Sequence, residues 1–556
     1  MVENLLHVVG AWGVFGIMVA ILLGFSIFFT VYYSSARDRE PFAMIITILA
    51  LTLCLSTVTL FPIDIFLVSR TLDPATGLRR PWATDEVIAS MQLVVSVVYY
   101  VAYGLIASFC FFWIPLAYFY FEEFEEDQTV QRRLMASLKY TAFFIVIACI
   151  LLVTGLFIKP NDHDNRDLEW LRKILAALDG PGALAFVAGV LSIIGMLVLV
   201  FYTAPGLSLL PMHLLAGYQS ISAKVNETNA ELIANRERLN AIRNRYPPTS
   251  NCEISERDRL AINELEREEL ILESRSRMVQ RTRDSWANKC HWIVRPFEIV
   301  LGLAATTLTI LLITSIAITT LDNLKEEGCG APCGYILTHP NLPNPLNLLF
   351  LELSPFFPVD YILMLMIILY MFWATTKGII SIGIRFLWVN LYKFRRAATQ
   401  PQGLLAATML LMLSLTGMYY SLTMTVAPDY SMFGSQKYCN HTITNSTRDC
   451  SDYPTLIIPC HIGAPIELCT PTVTSSIVLK IILGTPGLGI AFYYTQWLLL
   501  LVFVGALVFN LVQGCRHGFG VDPALEDGED MDDIESRGLS IFTGNCDEYS
   551  LRMAIA

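Results

Sequence analysis

Two short strings hold the residues in this chain best suited to chemistry. Phe61-Pro62-Ile63-Asp64-Ile65-Phe66 and Phe357-Pro358-Val359-Asp360-Tyr361-Ile362 share the pattern Phe-Pro-aliphatic-Asp-apolar. Each lies at the edge of a long apolar run, where an ionised carboxylate is costly or changes protonation. Asp64 and Asp360 are therefore the candidate intramembrane polar sites. Two readings stand side by side. Proline removes a backbone donor and loosens the helix, and the Asp then caps N–H groups at the turn. Alternatively, the two carboxylates face a shared polar cavity and bind a proton, a ligand or a partner helix. The repeat also fits the inverted duplication of some transporters.

The elements that position these residues follow from composition. The chain has 556 residues, 54% of them hydrophobic and 16% charged, against roughly 25% charged in soluble proteins. Nine apolar stretches of spanning length lie near 8–33, 42–68, 91–121, 138–158, 183–204, 297–320, 359–384, 402–426 and 488–512. Runs this long suit helices rather than the short alternating strands of a barrel. The expected fold class is all-α, a polytopic membrane protein with about nine transmembrane helices. The net charge of −11 and the lack of a basic arm exclude nucleic acid as a partner. Membrane lipid is the partner that composition does imply.

Four regions are expected: an N-terminal transmembrane region 1–217 with spans 1–5, a cytosolic charged hairpin 218–296, a C-terminal transmembrane region 297–512 with spans 6–9, and an acidic disordered tail 513–556. Nine crossings put the termini on opposite sides. Glu3 is the only charge before the first span and Arg37 and Arg39 follow it, so the N-terminus is expected in the lumen and the C-terminus in the cytosol. The start lacks a basic n-region and a small-residue cleavage site, so span 1 is read as a retained anchor. Loop 159–182 carries Lys159, Arg166, Arg172 and Lys173, as many basic residues as Arg385, Lys393, Arg395 and Arg396 supply across 385–396. Short-loop charge alone therefore discriminates poorly.

Loop 427–487 discriminates better. It holds the sequons at Asn440 and Asn445 beside Cys439, Cys450, Cys460 and Cys469, and loop 321–358 adds Cys329 and Cys333. Acceptors for glycan and an even set of cysteines suit an oxidising lumen. Asn440 and Asn445 are the expected glycosylation sites and the six cysteines the candidate disulfide formers. Asn226-Glu227-Thr228 falls on the opposite side and is expected to stay bare. No metal site is expected, since the Cys329/Cys333 pair has no second close pair beside it.

Residues 218–285 hold twelve basic and twelve acidic residues around the turn Tyr246-Pro247-Pro248. Val225, Leu232 and Leu239 on one arm, and Leu265, Leu272 and Val279 on the other, recur every seven residues. That spacing predicts a helical hairpin with one apolar seam per arm. The arms either pack only on each other or also dock a protein on their charged faces. Tyr218-Gln219-Ser220-Ile221 fits a tyrosine-based sorting signal, with Tyr218 and Ile221 as its key residues, and Glu266 through Leu270-Ile271 fits an acidic dileucine. Both strings are short and common, and their place within the hairpin makes core packing the simpler explanation of each. Gly10, Gly13 and Gly16 form a small-residue face on span 1.

Catalytic patterns are missing. The sequence has no G-x-x-x-x-G-K-[ST] phosphate loop, no H-E-x-x-H, no G-x-S-x-G and no D-x-H-x-x-G. The expectation is no enzyme and no catalytic residues.

Six strings together resemble the limb-region-type (LIMR) membrane protein family: Phe61–Ser69, Phe112–Tyr120, Asn344–Asn347, Phe357–Leu363, Leu391–Arg396 and Tyr430–Gln436. The resemblance covers about residues 1–515. It implies a nine-span lysosomal protein with no intrinsic cofactor, required for release of cobalamin to the cytosol. It further implies a subfamily-D ABC half-transporter and a cytosolic cobalamin-processing chaperone as partners. A second implied role is clathrin-adaptor-dependent endocytosis of the insulin receptor, with some protein at the plasma membrane. Trp286-Ala-Asn-Lys-Cys290 departs from the family's Trp-x-x-aromatic string, leaving Tyr218 as a substitute. An escort that targets the ABC partner is the leading function. A transporter that conducts cobalamin itself and an endocytic receptor of the lipocalin-receptor type are the alternatives.

Overall fold

Among the described residues, nine helices are long and apolar enough to cross a bilayer: Trp12–Tyr33, Pro41–Ser69, Asp85–Glu122, Val130–Gly155, Leu184–Leu215, Arg295–Leu324, Val359–Ile382, Pro401–Val426 and Gly487–Val512, referred to as spans 1 to 9. The computed structural model describes residues 2–35, 40–122, 130–157, 182–216, 221–244, 256–284, 291–325, 342–353, 356, 358–386, 389–392, 394, 399–440, 450, 456–461, 464 and 468–517. The class is all-α, with two short antiparallel strand pairs, Ile384–Phe386 with Val389–Tyr392 and Lys437–Cys439 with Ile457–Pro459.

Two boundaries move from the expected positions for identifiable reasons. Span 3 starts at Asp85, several residues early, because the Thr84 side chain accepts from Val87 N and caps it. Span 5 runs on past 204 to Leu215. A π turn at Leu199–Thr203 precedes Pro205, so the proline falls in a first turn where its missing N–H is tolerated. Spans 3 and 8 carry π turns as well, at Phe109–Trp113 and Leu422–Val426.

The chain divides into two units. The first, 1–210 with 305–508, is built around span 8, whose apolar window is 83% buried against 11% for span 4. Span 8 packs on spans 2, 3, 5 and 7. Its crossing with span 5 is made at a reciprocal glycine pair. A Cβ on Gly195 would stand 2.0 Å from the Leu413 carbonyl oxygen, and one on Gly417 2.5 Å from the Gly195 carbonyl carbon. Only hydrogen side chains let these backbones approach so closely. Spans 5 and 7 meet in the same manner at Gly206 and Gly378.

On the side of this unit that carries the disulfides, a cap covers the span ends. It comprises loop 70–84, helix Pro345–Leu353, helix Pro428–Phe433, the strand pair Lys437–Cys439/Ile457–Pro459 and a short apolar helix Val473–Gly484. Loop and strand are joined where Cys439 N donates to Gly77 O (3.2 Å). Gly434, with φ of +61°, sits on Ser69, whose Oγ leaves no room for a Cβ.

In the second unit, 211–304 with 509–556, helices Ile221–Arg243 and Glu256–Asp284 form the expected hairpin. Leu239 is buried in the seam and Leu232, Leu265 and Leu272 are half-buried. Asn235 interrupts the apolar pattern yet is also buried, and its Nδ2 donates to Leu265 O (3.1 Å). The side chains of Val225 and Val279 lie outside the described set.

Candidate functional site

Asp64 and Asp360 are both 1% exposed, and each holds a piece of the cap. Asp64 sits near the end of the helix Pro41–Ser69, which runs uninterrupted through Pro62. Its Oδ1 accepts from Val473 N (3.3 Å), and its Oδ2 from Thr474 N (2.9 Å) and Thr474 Oγ1 (3.0 Å). The carboxylate thus caps helix Val473–Gly484, 409 residues away, rather than its own. A negative group at the positive end of a helix dipole is favourable, most of all where water cannot compete. Thr472 completes the turn by accepting from Ser475 N (3.3 Å) and donating to Ser431 O (2.8 Å).

Asp360 opens span 7. Its Oδ1 accepts from Tyr361 N (3.0 Å) and its Oδ2 from the Tyr430 hydroxyl (2.9 Å). Tyr430 is fully buried, stacks on Phe350 with centroids 4.4 Å apart, and donates its N–H to Asn347 Oδ1 (3.0 Å). Burial, then the Asp360 charge, hold its phenol well above the ordinary range, so it remains a donor. Asn347 Nδ2 continues the chain to Asp429 Oδ2 (2.6 Å). Asp429 Oδ1 is buried with no hydrogen-bond partner among the described residues. Burial pushes the Asp429 carboxyl above the usual range, and the Asn347 bond and nearby His461 pull it back only in part.

The two motifs therefore meet through the cap, from helix Pro428–Phe433 to helix Val473–Gly484 across the Ser431–Thr472 contact, and not as a carboxylate pair. The family-like strings pair in the same way. Ser69 Oγ accepts from Ser435 N (3.1 Å), Asn347 and Asp360 both bind Tyr430, and Tyr118 and Tyr392 share a hydroxyl contact of 2.9 Å. Asn344 Oδ1 caps helix Pro345–Leu353 by accepting from Leu346 N (3.0 Å), while its Nδ2 reaches Thr319 Oγ1 (2.9 Å). Gln436, enclosed, is satisfied by Phe433 O and Thr470.

Cys439 pairs with Cys450 and Cys460 with Cys469. Asn440 is exposed at the end of its strand. Cys329, Cys333, Asn445, Phe357, Tyr218 and the tail after 517 lie outside the described residues. Ile221 opens the first hairpin helix, and Asn226 is exposed on it. A Cβ added at Gly13 or Gly16 would meet nothing within 4 Å among the described residues, the neighbouring backbone of its own helix aside. No group of three metal-binding side chains occurs among the described residues.

Sequence reasoning missed several polar contacts inside the membrane. Thr203, in the span 5 π turn, shares a hydroxyl contact of 2.8 Å with Thr375 of span 7, which reaches Ser414 of span 8 (3.2 Å). Tyr419 donates to Thr57 O. Only the π turn itself, with Pro205 after it, left a trace in the sequence.

The model of the LMBR1-like membrane protein family matches residues 12–253. A probable lysosomal cobalamin transporter from Sclerotinia sclerotiorum is 35% identical over 96% of this chain and 92% of its own length. The chain belongs to the LMBR1-like family. Family members of the same printed name from Aspergillus oryzae and Aspergillus clavatus are each 34% identical, over 95% and 96% of this chain and 93% and 97% of theirs. No solved structure matches the chain.

Proposed function

We propose that this LMBR1-like chain is a lysosomal multi-pass membrane protein that serves export of cobalamin to the cytosol. The observation that carries the reading is near-full-length similarity to relatives named probable lysosomal cobalamin transporters. Its role is that of an escort: it carries or retains a subfamily-D ABC half-transporter that supplies the ATPase this sequence lacks, and it hands cobalamin on to a cytosolic chaperone. The use of Asp64 and Asp360 as clamps for a cap, instead of as a pair facing one cavity, supports a scaffold over a conduit. The N-terminus is lumenal and the C-terminus cytosolic. Exposed Asn440 beside two disulfides supports that orientation.

A second reading, conduction by this chain, is favoured by one observation: hydroxyls of Thr203, Thr375 and Ser414 meet between three spans beside a π turn. Cobalamin efflux from lysosomes lacking this protein, with the ABC partner imaged in the same cells, separates the two. The escort reading expects efflux to fall with the partner displaced. A partner that stays lysosomal while efflux falls sinks the escort reading and leaves conduction.

A further inference from the structure

Span 9 packs against the bundle along one stripe. Phe492, Gln496, Leu499 and Phe503, spaced by four, three and four residues, are buried, while Leu501, Val504 and Val508 face outward. Such spacing puts all four on one helix face. Three of them are apolar, and the fourth is a carboxamide. Gln496 is 1% exposed, and among the described residues neither its Oε1 nor its Nε2 has a hydrogen-bond partner. It lies about 14 Å along the helix from Gly487, near the middle of a bilayer core about 30 Å thick. The groups at its level are committed elsewhere. Phe492, one turn nearer Gly487, stacks on Tyr420 of span 8 with centroids 4.0 Å apart. Thr416, one turn before Tyr420, donates its hydroxyl to Leu413 O (2.7 Å), and Thr495 donates to Phe492 O (2.8 Å). An amide sealed among apolar groups, with a donor and an acceptor both unused, counts against the packing that seals it.

We propose that span 9 has a second position, in which it stands away from span 8 and admits water to Gln496. Water supplies what the amide lacks, an acceptor for Nε2 and a donor for Oε1. The helix is jointed at one end. Thr485 is the single residue between helix Val473–Gly484 and the helix Pro486–His517 that carries span 9, and its backbone leaves the helical region, with φ of −140° and ψ of 84°. A Cβ on Gly487 would meet nothing within 4 Å among the described residues, its own helix backbone aside, so the first turn beyond the joint has room to tilt. The contacts that hold this end of the span are apolar. Leu488 rests over Gly189 of span 5, where an added Cβ would stand 3.0 Å from Leu488 Cδ1, and Phe492 stacks on Tyr420. Apolar surfaces gain little from meeting each other in lipid, where close packing is what favours contact. The seam is thus held by packing and opposed by the amide, a balance that keeps a second position within reach. This inference goes beyond the cobalamin reading and stands or falls separately from it.

Amide exchange of the full-length protein in liposomes tests it directly. Exchange at 494–499 needs water near the middle of the bilayer, and in the wild type it should run about tenfold faster than at 413–418, the facing stretch of span 8. Gln496→Met keeps the length of the side chain and removes its polar atoms. It should slow exchange at 494–499 about tenfold and raise the thermal midpoint by about 2 °C, because the closed seam no longer strands an amide. The proposal is overturned if the midpoint of Gln496→Met does not rise, which would mean that the amide is satisfied in the closed seam, or if its exchange at 494–499 matches that of the wild type. Should Gln496→Met not fold, the wild type decides alone: exchange at 494–499 as slow as at 413–418 overturns the second position.

Discussion

Asp64 in the first unit and Arg236 in the second each bind more than one partner, in contrasting surroundings. Asp64 is 1% exposed and takes three donors of a helix terminus. The Arg236 side chain is 47% exposed and pairs with Glu269 and Glu273 on the facing arm, each at 2.5 Å. Water can replace either partner of Arg236 at little cost, whereas nothing replaces the partners of Asp64. Polar residues in the membrane unit thus fix which elements meet. Those of the hairpin decorate a contact that its apolar seam already makes, with Asn235 as the one buried polar member among the described residues.

This contrast is open to graded tests. The largest effect belongs to neither kind of polar group but to the backbone crossing beneath the cap. Gly195→Leu should abolish folded protein, and Gly195→Ala should lower stability by about 3 kcal/mol or more, read as the thermal midpoint of detergent-solubilised protein. A wild-type midpoint in Gly195→Ala would mean that spans 5 and 8 do not cross at this pair. Next comes Asp64→Ala, which strands two N–H groups and a hydroxyl. A loss of about 3 kcal/mol is expected, together with proteolytic cleavage of the cap; a resistant cap would break the comparison from the membrane side.

Tyr430→Phe deletes one bond to Asp360 and leaves the stack on Phe350, so about 2 kcal/mol should be lost. A neutral result would show that packing alone seats helix Pro428–Phe433. Asp429 sharpens the comparison through pH. Its carboxyl lies above the ordinary range, so the folded state holds its proton at a pH where the unfolded chain has lost it. The resulting stability is full below the unfolded value and is lost as pH rises through the folded one. Exchange protection of helix Pro345–Leu353 should therefore fall with rising pH in the wild type, and less so in Asp429→Asn. Equal slopes would remove Asp429 as the cause.

The smallest effect is reserved for the hairpin. Arg236→Ala should leave the thermal midpoint unchanged at physiological salt, since exposed pairs are screened and contribute little. A clear drop that salt cannot reproduce would place the hairpin in the same class as the cap.

The sequence by itself determined the class and the count of spans, because each needs a continuous apolar run and that is a local property. It also marked the hairpin, whose seven-residue repeat is local too, and it singled out Asp64 and Asp360, since a carboxylate beside a long apolar run is conspicuous. What these carboxylates hold was decided only by tertiary structure. The helix that Asp64 caps begins at Val473, in a Thr- and Ser-rich stretch that reads as loop, and no local pattern links positions 409 residues apart. The same holds for Gly195 and Gly417, ordinary glycines in apolar runs until two backbones meet at them. Periodicity and composition record what a segment buries, while the partner it buries against is set by long-range packing, where a glycine's missing side chain or a carboxylate's lone pairs find their complement.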